Sequence, residues 1–189
     1  MQRKKVIVFV GMPGAGKSAC VDYLKEKGLP HVYFGGITID EVKRRGMEVN
    51  EASEKLVRED IRAKEGKGAY AVRIIRQIED LFDKGHDFVV ADGLYSWTEY
   101  KIFKESFGDS AIIIAIVAPN AMRHKRLASR ADRPLTEREA KARDYAEIEN
   151  LEKGGPIANA DYFLANETTV SALQSDLQKL LPTIGIDIK

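Results

Sequence analysis

One cysteine, Cys20, is all that this chain of 189 residues contains. An intrachain disulfide and a multi-cysteine metal centre are therefore excluded. The histidines, His31, His86 and His124, are scattered without metal-ligand spacing. No Ser-His-Asp arrangement points to a hydrolase. Long apolar runs are missing too. The start "MQRKKVIVFVG" is basic and then apolar for only five residues. That is short of a signal-peptide core and of the roughly 18 apolar residues of a membrane helix, so a cytoplasmic protein is expected. Neither sign of charge dominates: 30 Lys and Arg face 29 Asp and Glu, a net charge of +1. Global charge thus favours neither nucleic acid nor a membrane surface. Internal repeats and low-complexity segments are absent, and the length fits one domain over residues 1–189.

What is present alternates. "VIVFV" (6–10), "HVYF" (31–34), "DFVVAD" (87–92), "SAIIIAIVAP" (110–119) and "ADYFLANE" (160–167) read as strands. The continuous apolar, β-branched runs suit a sheet buried on both faces. Helical patterns separate them over 17–27, 37–45, 51–65, 69–83, 96–108, from Pro119 to Arg130, 137–152 and 169–181. The 69–83 segment repeats Ala71, Ile74, Ile75, Ile78, Leu81 and Phe82 at helical spacing. Strands alternating with helices predict a three-layer α/β/α fold with a five-stranded parallel sheet and right-handed crossovers. Ligands bind such sheets at the carboxyl ends of the strands. The loops at 11–18, 34–38, 92–96, 118–120 and 165–168 should form one active face. Polar stretches at about 37–68 and 126–145 read as mobile inserts over that face.

Gly11-Met-Pro-Gly-Ala-Gly16-Lys17-Ser18 matches G-x-x-x-x-G-K-[ST] between a strand and a helix. Glycines let such a loop wrap closely, so that backbone N–H groups point at phosphate oxygens. The following helix adds its positive dipole end. The candidate nucleotide-binding set is Gly11, Pro13, Gly14, Ala15, Gly16, Lys17, Ser18 and Ala19. Lys17 should reach the β and γ phosphates, and the Ser18 hydroxyl should hold Mg²⁺. Asp92 ends a strand before Gly93, and a carboxylate there can complete the Mg²⁺ shell.

Arginines cluster at 123, 126, 130, 133, 138 and 143. Arg126 and Arg130, spaced R-x-x-x-R, are expected on one helix face, where guanidinium forks suit phosphate oxygens. A solvated face paired with Glu137, Glu139 and Asp144 is the plainer alternative. Arg58 and Arg62, and Arg73 and Arg76, are further basic positions that could meet an anionic substrate; for Arg58 and Arg76 ordinary surface charge is preferred. Tyr95, Trp97 and Tyr100 follow Asp92, where core packing is commoner than stacking on a base.

These motifs together resemble the P-loop kinases of the nucleotide-kinase group, which includes nucleoside monophosphate kinases and dephospho-CoA kinase. "VIVFVGMPGAGKS" is similar to the group's loop, "VVADGLYS" to its Asp-Gly strand end, "RLASR" to the entry of its lid and "ADYFLANE" to its last strand. "KRRG", "REDIRAKEG…AVR" and "GGPIANADYFLANE" further resemble a set of archaeal and bacterial proteins described as adenylate-kinase-related or dephospho-CoA-kinase-like. The resemblance implies that Arg126 and Arg130 contact ATP from a lid, that Arg143 approaches the transferred phosphate, and that Asn166 lies near the adenine. Arg62 and Arg73 would serve the acceptor, with Thr38, Gly93 and Tyr95 beside them.

Two departures stand out. Adenylate kinases carry Asp-Gly-Phe-Pro-Arg where this chain has Asp92-Gly93-Leu94-Tyr95-Ser96, so an acceptor-binding arginine is missing. Dephospho-CoA kinase carries aspartates past its second strand, where this chain has Phe34-Gly35-Gly36-Ile37-Thr38 and its nearest carboxylate is Asp40. A hydroxyl acceptor usually needs a base, whereas a phosphate acceptor needs mainly arginines. The expected activity is transfer of the γ-phosphoryl of Mg-ATP to a small, anionic, nucleotide-like acceptor, with Lys17, Asp92, Arg130 and Arg143 as its catalytic groups. The alternative is an ATP-binding switch with weak hydrolysis. A signalling GTPase is disfavoured, because N-K-x-D and D-x-x-G are missing. Nucleic-acid binding by 123–143 is disfavoured by Asp132, Glu137 and Glu139 in the same stretch.

Overall fold

The apolar runs become parallel strands. The computed structural model describes residues 4–131 and 134–187. Its sheet contains β1 (Lys5–Val10), β2 (His31–Tyr33), β3 (Phe88–Asp92), β4 (Ala111–Val117) and β5 (Tyr162–Ala165). Their order is β2-β3-β1-β4-β5, and every adjacent pair is parallel. The sequence order of the strands is therefore broken at β1, which lies between β3 and β4.

Period-two alternation divides the core into two layers. Val6, Val8 and Val10 join Phe34, Ile74, Ile78 and Phe103 on one face. Ile7 and Phe9 join Cys20, Leu24, Leu173 and Leu177 on the other. The first layer is covered by α2 (Phe34–Arg44), α3 (Glu51–Glu65), α4 (Ala69–Asp83) and α5 (Trp97–Phe107). The second is covered by α1 (Lys17–Glu26) and α9 (Val170–Thr183). Burying each large aliphatic side chain contributes about 1.5–3 kcal/mol. The thiol of Cys20 lies in this second layer, where burial pushes its pKa up to about 12.

Three boundaries differ from the sequence expectation. The second strand stops at Tyr33, and Phe34 already begins α2, so 34–38 is helix rather than loop. The Tyr33 ring folds over Gly35, where a Cβ would run into the ring tip. The segment after β4 forms α6 (Asn120–Ala128), and Arg130 lies beyond it. Continuing the helix would require the Ala131 N–H to reach the Leu127 carbonyl. That carbonyl instead accepts the Leu135 N–H at 3.1 Å. Arg126 and Arg130 consequently do not share a helix face. Finally, 137–152 is not one helix. α7 (Glu137–Glu149) ends first, and the short α8 (Gly154–Ala158) follows a sharp corner. Asp132 and Arg133, in the expected lid, lie outside the described residues.

Candidate functional site

The sheet register places the loop. Phe9 pairs with Asp92 and Val10 with Ala115, so the chain leaves β1 beside the carboxyl end of β3. All three glycines of the loop have positive φ, Gly11 at 148°, Gly14 at 78° and Gly16 at 109°. A Cβ on Gly14 would sit 2.6 Å from the Arg123 carbonyl oxygen, and one on Gly16 would enter the Asn166 amide. Both neighbours also bond the loop. Arg123 Nη1 donates to the Pro13 carbonyl at 3.0 Å, and Asn166 Nδ2 donates to the Ala15 carbonyl at 2.8 Å. The cradle is therefore held from two sides by α6 and by the residue after β5.

α1 starts at Gly16 with no side-chain cap. By contrast, Ser96 and Thr136 close capping boxes with Glu99 and Glu139 on α5 and α7. A helix start without its own polar cap, behind a glycine loop, is the arrangement that receives anions. Lys17 Nζ folds back onto the Gly11 carbonyl at 2.8 Å and the Met12 carbonyl at 3.4 Å. Its pKa is pulled down to about 7, first by burial and then by the nearby Lys153 ammonium, against the opposing pull of Glu147 and Asp92. Arg143 also lowers it, which places that arginine in the same field. Burial raises the pKa of Asp92, with Lys17 opposing the shift. Ser18 is exposed.

On the far side of the loop, Arg126 Nη2 donates to the Asn166 carbonyl at 2.9 Å and to its Oδ1 at 3.3 Å. Its Nη1 is buried with no hydrogen-bond partner among the described residues. Asn166 is itself buried, and its N–H donates to the Val117 carbonyl at 2.8 Å. Arg126 and Asn166 thus come together at the loop, whereas Arg130 is exposed beyond α6 and Arg138 is exposed on α7.

Arg123 has a structural position that the arginine pattern alone did not single out. Its guanidinium meets Asp144 of α7 as a fork, at 2.9 and 2.7 Å, and His124 Nε2 lies 2.9 Å from the same carboxylate. Burial pushes the Asp144 pKa up, but the Arg123 and His124 hydrogen bonds outweigh it and hold the carboxyl below its ordinary value. The pairing with Asp144 is buried rather than solvated. It ties α6, α7 and the Pro13 carbonyl into one unit.

The expected acceptor-side residues are placed differently from one another. Thr38 is buried, with its hydroxyl 2.8 Å from that of Tyr70. Arg62 lies over the Tyr70 ring, 5.3 Å from its centre. Arg73 is clasped through Nε and Nη2 by Glu65. Tyr95 packs edge-on against Phe34, and its hydroxyl lies 2.7 Å from where a Gly93 Cβ would be. Burial raises the Tyr95 pKa well above the ordinary range. Nearby, the buried Glu99 accepts from the N–H groups of Tyr95 and Ser96 at 2.9 and 3.1 Å. Its Oε1 has no hydrogen-bond partner among the described residues. Burial raises its pKa, with the backbone N–H of Tyr95 and the charge of Arg62 opposing.

Sequence reasoning missed Glu147, Lys153 and Glu99. The i, i+4 spacing of Arg143 and Glu147 was a usable signal, and the pair is formed at 3.3 Å. Nothing local marks Lys153, because its burial comes from the corner between α7 and α8.

A nucleotide triphosphate fits the residues present. The glycine cradle would be filled by any Cβ, Lys17 rests on backbone carbonyls, and Arg126 has an unsatisfied N–H donor beside Asn166. Mg²⁺ fits less directly. Among the described residues, no group of three or more His, Cys, Asp or Glu could hold a metal. Ser18 and Asp92 would offer two oxygens at most, and phosphate and water would have to complete the shell.

Comparison with known proteins agrees with this fold. Residues 7–150 match the family model described as AAA domain. A UPF0200/UPF0201 protein of Archaeoglobus fulgidus is 36% identical over 98% of this chain, and the chain spans 58% of that relative's length. A UPF0200 protein of Methanosarcina barkeri is 33% identical, with 94% of each chain covered. Among solved structures, TT1252 from Thermus thermophilus superposes with a TM-score of 0.68 at 18% identity, covering 96% of this chain and 98% of its own. Shikimate kinase from Acinetobacter baumannii gives 0.58 at 18% identity, with 96% of each chain covered. Dephospho-CoA kinase from Campylobacter jejuni gives 0.54 at 17% identity, covering 96% of this chain and 97% of its own. At such identities these likenesses establish the P-loop kinase fold alone.

Proposed function

The chain belongs to the AAA domain family and to the UPF0200 proteins, and on that premise we propose that it is an ATP-dependent small-molecule kinase. Its acceptor is nucleotide-like and anionic, of the nucleoside monophosphate or dephospho-CoA class. The observation that carries this reading is the meeting of three things at one strand end: an uncapped loop-helix cradle, the Lys17 ammonium and the Asp92 carboxylate.

Mg-ATP, when bound, supplies the γ-phosphoryl group. The backbone from Gly11 to Ala19, through Pro13, Gly14, Ala15 and Gly16, receives its phosphates, while Lys17 places a positive charge against them. Ser18 and Asp92 hold Mg²⁺. Arg126, braced by Asn166, faces the nucleoside side of the loop. Arg130 and Arg143 neutralise the transferring group as the 126–145 segment closes over it. Thr38, Arg62, Arg73, Gly93 and Tyr95 form the acceptor side, on and next to the 37–68 insert. Arg62 is the anchor for acceptor charge, because Arg73 is already neutralised by Glu65.

The test is a transfer screen with Mg-ATP against nucleosides, nucleoside monophosphates and dephospho-CoA, read as phosphorylated product. Product with a nucleotide-like acceptor is expected. ADP release stimulated only by a protein partner would instead identify an ATP-driven switch. Undiminished ATP binding and turnover in Lys17→Ala would overturn both readings.

A further inference from the structure

The corner between α7 and α8 carries a lysine that the site described above does not use. Lys153 is a buried cation, with a side chain only 3% exposed. Its Nζ pairs with Glu147 Oε2, and Glu147 Oε1 also accepts from Arg143 Nε at 3.3 Å. One carboxylate is thus shared between two cations. Lys153 Nζ also lies 5.0 Å from the centre of the Tyr95 ring. The Tyr95 hydroxyl in turn lies against Gly93, the residue after Asp92. The ammonium is therefore one aromatic ring away from the strand end beside the loop.

The chain is bent to put it there. Glu152, immediately before Lys153, has φ 52° and is the one non-glycine residue with positive φ among the described residues. That conformation is costly for a side-chain-bearing residue and clusters at functional sites. The bend is also braced. The Trp97 N–H donates to the Leu151 carbonyl at 3.3 Å, and a Cβ on Gly155 would lie 2.7 Å from the Trp97 ring. Trp97 stacks on Tyr100 at 4.9 Å, and the Tyr100 hydroxyl donates to the Asn159 carbonyl at 3.2 Å. Lys153 is accordingly mounted on the rigid body through α5. An ammonium is a compact point charge that suits a single phosphoryl oxygen, and a buried one with a shared carboxylate stays short of partners.

We propose that Lys153 is a second lysine of the phosphoryl-transfer site, whose ammonium exchanges Glu147 for an oxygen of the terminal phosphoryl group. This rests on the kinase reading above. During transfer, the bond from the γ-phosphorus to the bridging oxygen breaks and ADP leaves with its electron pair. The new bond forms from the acceptor oxygen to the same phosphorus; an anionic phosphate acceptor brings no proton to that bond, and a hydroxyl acceptor gives its proton up to solvent. Lys153 keeps its proton throughout and stabilises charge on a non-bridging oxygen. Glu147 is a positioning residue that holds the ammonium until the phosphate arrives.

The test compares ATP with ADP binding, by calorimetry with Mg²⁺ present, in the wild type, Lys153→Met and the double variant Lys153→Met/Glu147→Leu. A ligand contact to the terminal phosphate predicts at least tenfold weaker ATP binding in Lys153→Met, with ADP within about twofold. Lys153→Met leaves Glu147 with Arg143 as its remaining cation; the double variant removes both charges of the Lys153–Glu147 pair together, and it should show the same selective loss. Equal effects on ATP and ADP, or none, in the double variant would overturn the proposal and leave a structural ion pair. Failure of the wild type to bind either nucleotide would overturn the kinase reading, and this proposal with it.

Discussion

Around the loop, Lys17 rests on backbone carbonyls and Arg126 keeps an unsatisfied donor. In the 37–68 insert and on α4 next to it, Arg73 is clasped by Glu65, Arg45 by Glu41 and Asp60, and Arg58 by Glu54. The same residue type serves opposite ends. A cation neutralised by its own carboxylate, as Arg73 is by Glu65, contributes little field to a ligand, whereas Arg143 and Lys153 share the one carboxylate of Glu147 and keep a net positive charge; exposed pairs contribute little to stability. A cation facing backbone oxygens can exchange those weak partners for phosphate. The difference teaches that counting arginines overstates the acceptor side, and that their partners decide which of them can act.

The comparison breaks most visibly at Lys17. Lys17→Ala should lower the rate of ATP turnover on the order of 10³-fold with the far-ultraviolet circular dichroism unchanged. Turnover within tenfold of the wild type would remove the loop from the chemistry. Next comes the buried fork behind the loop. Asp144→Ala leaves Arg123 buried without its partner, and should cost about 3–5 kcal/mol, measured as a shift in the denaturant midpoint. The acceptor side should then separate its own arginines. Arg62→Ala is expected to raise the acceptor KM by roughly tenfold or more, the scale of a lost charged hydrogen bond. Arg73→Ala should change it less than about threefold, and the opposite order would reverse our assignment of the two.

The smallest effect is a proton. Lys17 has an ordinary pKa of 10.5 and a folded value of about 7. Between those pH values the unfolded chain binds more protons, so the folded state gains stability from this group as pH rises. Below pH 7 the group is charged in both states, and the folded protein bears its full burial cost. An incoming phosphate restores the charge, so ATP binding near pH 8 should take up a fraction of a proton. Calorimetry in two buffers of different ionisation enthalpy measures it. Lys153, Glu147, Asp92 and Arg143 face the same ammonium, and an uptake that persists in Lys17→Met would belong to one of them.

How much of this could be read from the chain depends on whether the cause was local. Val6 to Val10 and Ile112 to Ile116 are apolar at every position, which only a two-faced sheet accommodates. The bounds of α4 were legible to the residue, and so was its stripe apart from Ala69 and Tyr70, which are also buried, and Leu81, which is only half-buried. The Gly-rich loop was legible because its glycines and lysine are adjacent in sequence. Arg130 was misread because the end of α6 depends on Leu135 reaching back to Leu127, a contact no helical pattern carries. The helical start at Phe34 was missed because Tyr33 folds over Gly35, which reads as a turn residue by itself. Lys153 was missed because it looks like a surface lysine until α5 is packed against its corner.

Trp97 is the chain's only tryptophan. It is stacked on Tyr100 and pressed against Gly155, two residues from Lys153. The protein therefore carries an intrinsic fluorophore at the junction where the strand end after Asp92 meets the α7–α8 corner. Any ligand that draws Lys153 away from Glu147 loads the corner against which that indole is packed, and its emission can follow site occupancy without a label.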